Sequence, residues 1–146
     1  RKENIKIYFS GRKEYLKPNI IEAMDTLEHE TESNDGLVVN FCLSYGGRAE
    51  IVDATKTIVK KVQNNEISPE DINEELFSEN LYHKLPDVDF LIRTSGENRI
   101  SNFMLWQISY AEFYFPKVYF PDFDTIELDK AFDEYNKRDR RFGNVK

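Results

Sequence analysis

A chain of 146 residues with 40% apolar and 32% charged side chains has the make-up of an ordinary soluble globular protein, long enough for one domain with its own core. Its formal net charge of -7 argues against a general nucleic-acid surface, because no broad basic stripe interrupts the acidic balance. Cys42 is the single cysteine, so an internal disulfide is excluded and a reducing compartment fits; no apolar run approaches the roughly 20 residues that span a bilayer, and no signal peptide is visible.

The chain opens on Arg1 rather than a methionine, as a piece of a longer protein would. Residues 5–9 alternate lysine with apolar side chains and end at Ser10-Gly11, which predicts a first strand and a turn. Pro18 starts a helical pattern with Ile20, Met24 and Leu27 on one face and Glu22, Asp25, Glu28 and Glu30 mostly on the other. Asn34-Asp35-Gly36 stops it. Residues 37–43 are a nearly continuous apolar run, the pattern of a buried parallel strand with helices over both faces. Ser44-Tyr45-Gly46-Gly47-Arg48 follows, and then Ile51, Ala54, Ile58 and Val62 at helix spacing. This is a βα unit whose turn can offer N–H groups to an anion; pattern alone favours the plainer view that the glycines only make the turn.

Ser68-Pro69-Glu70-Asp71 reads as a helix start, with Ile72, Leu76 and Phe77 on the apolar side. Leu85-Pro86 then leads into the most informative stretch. There an apolar run over residues 88–92 ends at Arg93, a polar loop with Gly96 carries Arg99, and Ser101-Asn102 opens a second apolar run in the manner of a helix cap. Residues 113–123 are strongly aromatic, and a short strand is expected at Val118-Tyr119-Phe120 between Pro116 and Pro121. Asp124-Thr125-Ile126-Glu127 is a capping-box pattern, and Leu128, Phe132 and Tyr135 mark one face of a last helix. The alternation predicts an α/β fold, a mostly parallel sheet covered by helices on both faces, as a single domain over residues 1–146. Four strands are few for this class, as in an N-terminally incomplete domain.

Two arginines and a hydroxyl within nine residues, beside a glycine, suit a phosphate or diphosphate. Arginine presents a planar, permanently charged fork, and glycine lets the backbone approach the anion. Plainer roles stand beside these. Arg93 at a strand end is commonly a surface arginine paired with an acid such as Asp89. Ser101 serves equally as a cap, and Glu112 as a solvated carboxylate. The tail Lys137-Arg138-Asp139-Arg140-Arg141 is the other concentration of cations, or only solvated charge. His29 and His83 lack metal-ligand spacing.

Arg93-Thr94-Ser95-Gly96-Glu97-Asn98-Arg99-Ile100-Ser101-Asn102-Phe103-Met104-Leu105-Trp106-Gln107, followed by Tyr110-Ala111-Glu112-Phe113-Tyr114-Phe115, closely resembles the C-terminal signature of the cis-prenyltransferases, the undecaprenyl diphosphate synthase-like enzymes. Asn40 with Tyr45-Gly46-Gly47-Arg48 looks like that family's preceding motif, and Arg140-Arg141-Phe142-Gly143 like its terminal one. The resemblance implies a Rossmann-like sheet and a homodimer. It implies an enzyme that condenses isopentenyl diphosphate repeatedly onto an allylic diphosphate such as farnesyl diphosphate, with Mg2+, to give a long-chain cis-polyprenyl diphosphate. By motif position, Arg93, Arg99 and Ser101 would hold the diphosphate of isopentenyl diphosphate, with Ile100 contributing through its backbone. Glu112 would lie near the magnesium, Glu97 would orient the arginines, and Arg141 and Gly143 would close over the partner's site. Leu37, Val39 and Phe41 suit a prenyl tunnel or, more simply, core packing; Trp106 and Tyr110 suit the core or a dimer interface. A cytoplasmic enzyme is implied, drawn to the membrane surface by its lipid product. The family's Asp-Gly-Asn-Gly-Arg-Trp type motif, with its magnesium aspartate, and the Ser/Asn-rich segment after it are not in this chain. The resemblance therefore implies no catalytic residue here and no turnover by these residues alone. A non-catalytic partner subunit of the same fold and a generic phosphate-binding α/β domain are the rival functions.

Overall fold

Two pairs of parallel strands carry the described residues, 3–138, of the computed structural model. The chain divides into two compact units, residues 1–85 and residues 86–146. In the first, β1 (Lys6–Ser10) pairs with β2 (Val38–Cys42) in the register Lys6 to Val38 through Ser10 to Cys42. Helix α1 (Pro18–Thr31) connects them, with proline at its first position. After β2 come α2 (Gly47–Gln63) and the short α3 (Glu74–Glu79). Parallel strands joined through helices are the α/β fold that the sequence predicts.

The edge of β1 that faces away from β2 is closed by side chains. Ile7 N donates to Thr31 Oγ1 (3.1 Å) and Phe9 N to Glu28 Oε1 (2.7 Å), so α1 satisfies the outward N–H groups. His83 Nε2 lies 3.2 Å from Phe9 O, and a carbonyl only accepts, so this ring nitrogen carries the proton. The ring stacks on Tyr8 at 4.4 Å between centroids, so a histidine without a sequence signal has a structural task. At the end of the pair, Gly11 (φ +135°) is obligatory. A Cβ there would stand 1.9 Å from Leu43 O, a backbone atom that cannot yield.

Met24, Ala54, Ile58 and Leu81 form the apolar core of this unit; the first three lie on the expected helix faces, but Ile20 and Leu27, expected beside Met24, are each 41% exposed. The run over residues 37–43 matches less well. Leu37 is 64% and Phe41 47% exposed, because within the described residues β2 has one strand neighbour and no element over those side chains. The helix start at Ser68 also needs correction. Ser68 caps only a 3-10 turn, Pro69–Asp71, with a complete capping box. Ile72 (ψ 113°) and Asn73 (ψ 179°) are extended, and Asn73 Oδ1 caps α3 by accepting from Leu76 N at 2.9 Å.

In the second unit, β3 (Phe90–Ile92) and β4 (Glu112–Tyr114) run parallel, with Phe90 opposite Glu112. The strand expected at residues 118–120 is thus placed earlier; Phe120–Asp122 is a 3-10 turn entered through Pro121. The capped helix expected after Ser101 does not form. Residues 101–110 make turns, because Ser101, Asn102 and Met104 have φ of 46°, 65° and 46°, outside any right-handed helix. Helix α4 (Thr125–Asn136) is capped by Asp124, whose Oδ1 accepts from Glu127 N at 3.0 Å. Ala131 is fully buried and Tyr135 packs on Phe90 at 4.9 Å, whereas Phe132 is exposed rather than on the inner face.

One polar network in the first unit gives a pH test. Arg12 grips Asp53 through Nε (2.9 Å) and Nη2 (2.8 Å), and Tyr82 Oη donates to the same carboxylate at 2.7 Å. The Arg12 fork, with help from the Tyr82 hydroxyl, holds the Asp53 carboxyl down at about 2 from its usual 3.8. A depressed folded-state value adds stability that is complete above the unfolded value and is lost as pH falls through the folded one. Asp53→Asn should therefore lower Tm by a few degrees at pH 7, and the gap to wild type should close between about pH 4 and pH 2 in melts followed by circular dichroism. A gap that stays constant down to pH 2 would refute the assignment.

Candidate functional site

Arg93 is the first residue past β3, and its N–H still donates across the ladder to Tyr114 O at 2.9 Å. The pairing does not stop there. Ser95 N donates to Val118 O (2.7 Å) and Gly96 N to Pro116 O (2.8 Å), so residues 116–118 clamp the turn after the strand. Below the strand, Glu112 N donates to Asp89 O at 2.9 Å. Arg93 is therefore set on a fixed backbone between regular pairing and a clamped turn.

The loop beyond it is built from left-handed residues. Ser95 (φ 70°), Gly96 (φ 65°), Ser101, Asn102 and Met104 all have positive φ within ten positions. Only one is glycine, and such backbone clusters where a ligand is clamped. Phe103 N donates to Ile100 O (3.0 Å), folding the distal arm back. Leu91, Ile92, Arg93, Ile100 and Phe103 then line a cleft of about 130 Å³. A half-buried guanidinium beside an apolar wall suits an anion with an apolar attachment.

The charges are distributed unevenly. Arg93 forms no ion pair with any described residue, so pairing with Asp89, the plainer expectation, does not occur. Arg99 is paired with Glu97 and is 60% exposed. Ser101 is exposed and, having left-handed backbone, caps no helix. The structure thus brings Arg93 and Ile100 onto one cleft and keeps Arg99 and Ser101 on the same loop.

Glu112 stands elsewhere. It opens β4 opposite Phe90, while Arg93 follows the far end of β3, a separation of roughly 10 Å along three residues of strand. Its carboxylate accepts from Arg138 at 2.7 Å. Among the described residues, no group of three or more His, Cys, Asp or Glu is placed to hold a metal. Magnesium is commonly held by one or two carboxylates with the remaining ligands from substrate phosphates and water, and a single Glu112 fits that donor set. Arg141 and Gly143 lie outside the described residues.

In the first unit, the Tyr45-Gly46-Gly47 turn opens α2 and is braced by Glu50, a nearly buried carboxylate. Glu50 accepts from Tyr45 Oη (2.5 Å) and from Tyr82 N (3.2 Å). Asn40 Oδ1 accepts from the buried Ser10 Oγ at 3.0 Å, tying the end of β1 to the middle of β2. Sequence reasoning missed Glu50 and Ser10; an acid in the first turn after a glycine pair was the available signal for the former.

Comparison with known proteins gives a consistent result. The family model for undecaprenyl diphosphate synthase matches residues 1–143. An isoprenyl transferase of Fusobacterium nucleatum is 49% identical over 145 residues, 99% of this chain and 60% of that protein. One from Bacillus subtilis is 44% identical over 144 residues, 98% of this chain and 55% of that protein. The crystal structure of lavandulyl diphosphate synthase from Lavandula x intermedia in complex with dimethylallyl diphosphate matches with a TM-score of 0.92 at 37% identity. It covers 99% of this chain and 62% of that one. The chain thus spans 55–60% of the length of these curated relatives.

The loop's dependence on left-handed backbone can be checked at Gly96. A Cβ added there would meet only Lys117, at an ordinary 3.5 Å, so the cost of alanine is conformational. Gly96→Ala should destabilise by about 1–2 kcal/mol in urea unfolding, and Gly96→Asn by clearly less. Equal, negligible losses would show that the turn is not left-handed.

Proposed function

The chain belongs to the undecaprenyl diphosphate synthase family, as the match over residues 1–143 shows, and from that premise we propose that it carries the isopentenyl diphosphate half of a cis-prenyltransferase site. The whole protein would condense isopentenyl diphosphate with an allylic diphosphate, farnesyl diphosphate or a similar one, to make a long-chain cis-polyprenyl diphosphate. The observation that carries this is the Arg93 guanidinium, free of any carboxylate among the described residues and lining a cleft with Ile100.

The chain's own residues bind and orient. Arg93 offers a fork to two diphosphate oxygens, and the Ile100 side of the cleft accepts the five-carbon chain. Arg99 and Ser101 add donors from the same loop once the anion competes with Glu97 for Arg99. Fixing the double bond of isopentenyl diphosphate toward the allylic carbon turns an encounter into an intramolecular step. Magnesium, when bound, would neutralise diphosphate charge, and Glu112 is the carboxylate here that would hold it. No residue of this chain is assigned to bond making or breaking, so the 146 residues alone should bind isopentenyl diphosphate without turnover.

The same proposal includes a homodimer in which Arg141 and Gly143 close over the partner's site. It also places the enzyme in the cytoplasm at the membrane surface, where its lipid product would partition. Among the described residues, no helix is long and apolar enough to cross a membrane. A generic phosphate-binding domain would bind inorganic diphosphate as tightly as isopentenyl diphosphate, whereas the apolar wall of the cleft favours the latter.

Steady-state kinetics on the full-length protein test the assignment. Arg93→Ala removes a charge-assisted pair and should raise KM for isopentenyl diphosphate by about 10- to 100-fold, with much less effect on KM for the allylic substrate. Equal changes in the two constants would reject it.

A further inference from the structure

The segment that clamps the loop carries a cation of its own. Ser95 N donates to Val118 O and Gly96 N to Pro116 O, so Lys117 lies between two fixed carbonyls against the turn. A Cβ on Gly96 would stand 3.5 Å from Lys117 Cγ, 3.7 Å from its Cα and 4.0 Å from its Cβ. The lysine stem therefore covers the face that the glycine leaves bare, and this contact fixes its first bonds. Its ammonium is three bonds beyond Cγ, on a residue that is exposed.

Lys117 is exposed and meets no carboxylate among the described residues. Lysines without an acid are common in residues 3–85, where Lys6, Lys17 and Lys60 have none among the described residues, but within residues 86–138 the contrast is informative: Lys130, Lys137 and Arg138 each hold an acid. On the loop itself Arg99 is already matched by Glu97. Among the described residues, the two cations left unmatched at this end of β3 are Arg93 and Lys117, one at the strand end and one on its clamp.

We propose that Lys117 is a further diphosphate-binding residue, a point charge at the rim that supplements the fork of Arg93. The inference rests on the assignment of this loop as the isopentenyl diphosphate site and adds a residue to it. The two cations divide the work by their chemistry. Arginine's planar fork fixes orientation, whereas lysine's mobile ammonium adds attraction without dictating geometry. A rim charge is screened by salt more strongly than a half-buried one, so the contribution of Lys117 is the salt-sensitive part of binding.

The test is calorimetric titration of the full-length protein with two probes, isopentenyl diphosphate and inorganic diphosphate, at low and high salt. Lys117→Gln should weaken both by about fivefold at low salt. Lys117→Arg should restore binding to near the wild-type value, and the gap between wild type and Lys117→Gln should narrow as salt rises. A residue that merely props Gly96 would show no charge rescue and no change in salt dependence, and that result overturns the inference. If Lys117→Gln binds like wild type while Arg93→Ala does not, Lys117 is excluded and the site assignment stands. If the wild type binds neither probe, the site assignment falls and the role of Lys117 with it.

Discussion

Two backbone hydrogen bonds beyond the end of a three-residue strand fix the turn between Arg93 and Arg99 against the segment that carries Lys117. β3 and β4 share only three paired positions, too few to be stable as an isolated ladder. Asp89 O and Arg93 N extend the pairing at either end, and Ser95 and Gly96 carry it on to Val118 and Pro116. The last two bonds form only if the chain turns through left-handed backbone at Ser95 and Gly96. The same turn that satisfies the ladder therefore holds Arg93 at the cleft and packs the Lys117 stem on Gly96. A loop held in this way has little entropy left to lose when an anion arrives.

Electrostatics complement the backbone. Among the described residues of the second unit, Arg99, Lys130, Lys137 and Arg138 are paired locally, and in the first unit Arg12 with Asp53 shows how complete such pairing can be. Arg93 has no carboxylate partner among the described residues, which is sensible where an external anion supplies one. Glu112 and Arg138 form the opposite arrangement at the other end of the strand pair, where a carboxylate is neutralised within the chain. A cation arriving at Glu112 must compete with Arg138, while an anion arriving at Arg93 competes with nothing in the described residues.

Much of this was legible from residue order. Helices α1, α2 and α4, both strands of the first unit and the position of Arg93 at a strand end follow from apolar period, Pro18, and the Asp124 cap. The proposed site residues come from a long motif rather than from physics, since two arginines and a serine near a glycine suit many anions. The failures share one cause: conformations set by partners distant in sequence. Ser101 and Asn102 look like a cap, yet left-handed backbone there serves the loop and forbids the helix. Val118 has strand character, but its carbonyl is spent on Ser95, and the regular pairing falls on Glu112–Tyr114. Ser68 carries every mark of a helix start and opens only one 3-10 turn, because Ile72 and Asn73 are extended. The half-exposed residues of β2 show the reverse, an apolar pattern stronger than the burial found among the described residues.

The central claim is that the loop after β3 grips a diphosphate through the Arg93 fork. A crystal structure of the full-length protein with isopentenyl diphosphate tests it most directly. The account predicts diphosphate oxygens within about 3 Å of both terminal Arg93 nitrogens, with the five-carbon chain against Ile100. Density for the diphosphate at another place, with Arg93 pointing to solvent or paired with a carboxylate of the protein, would contradict it.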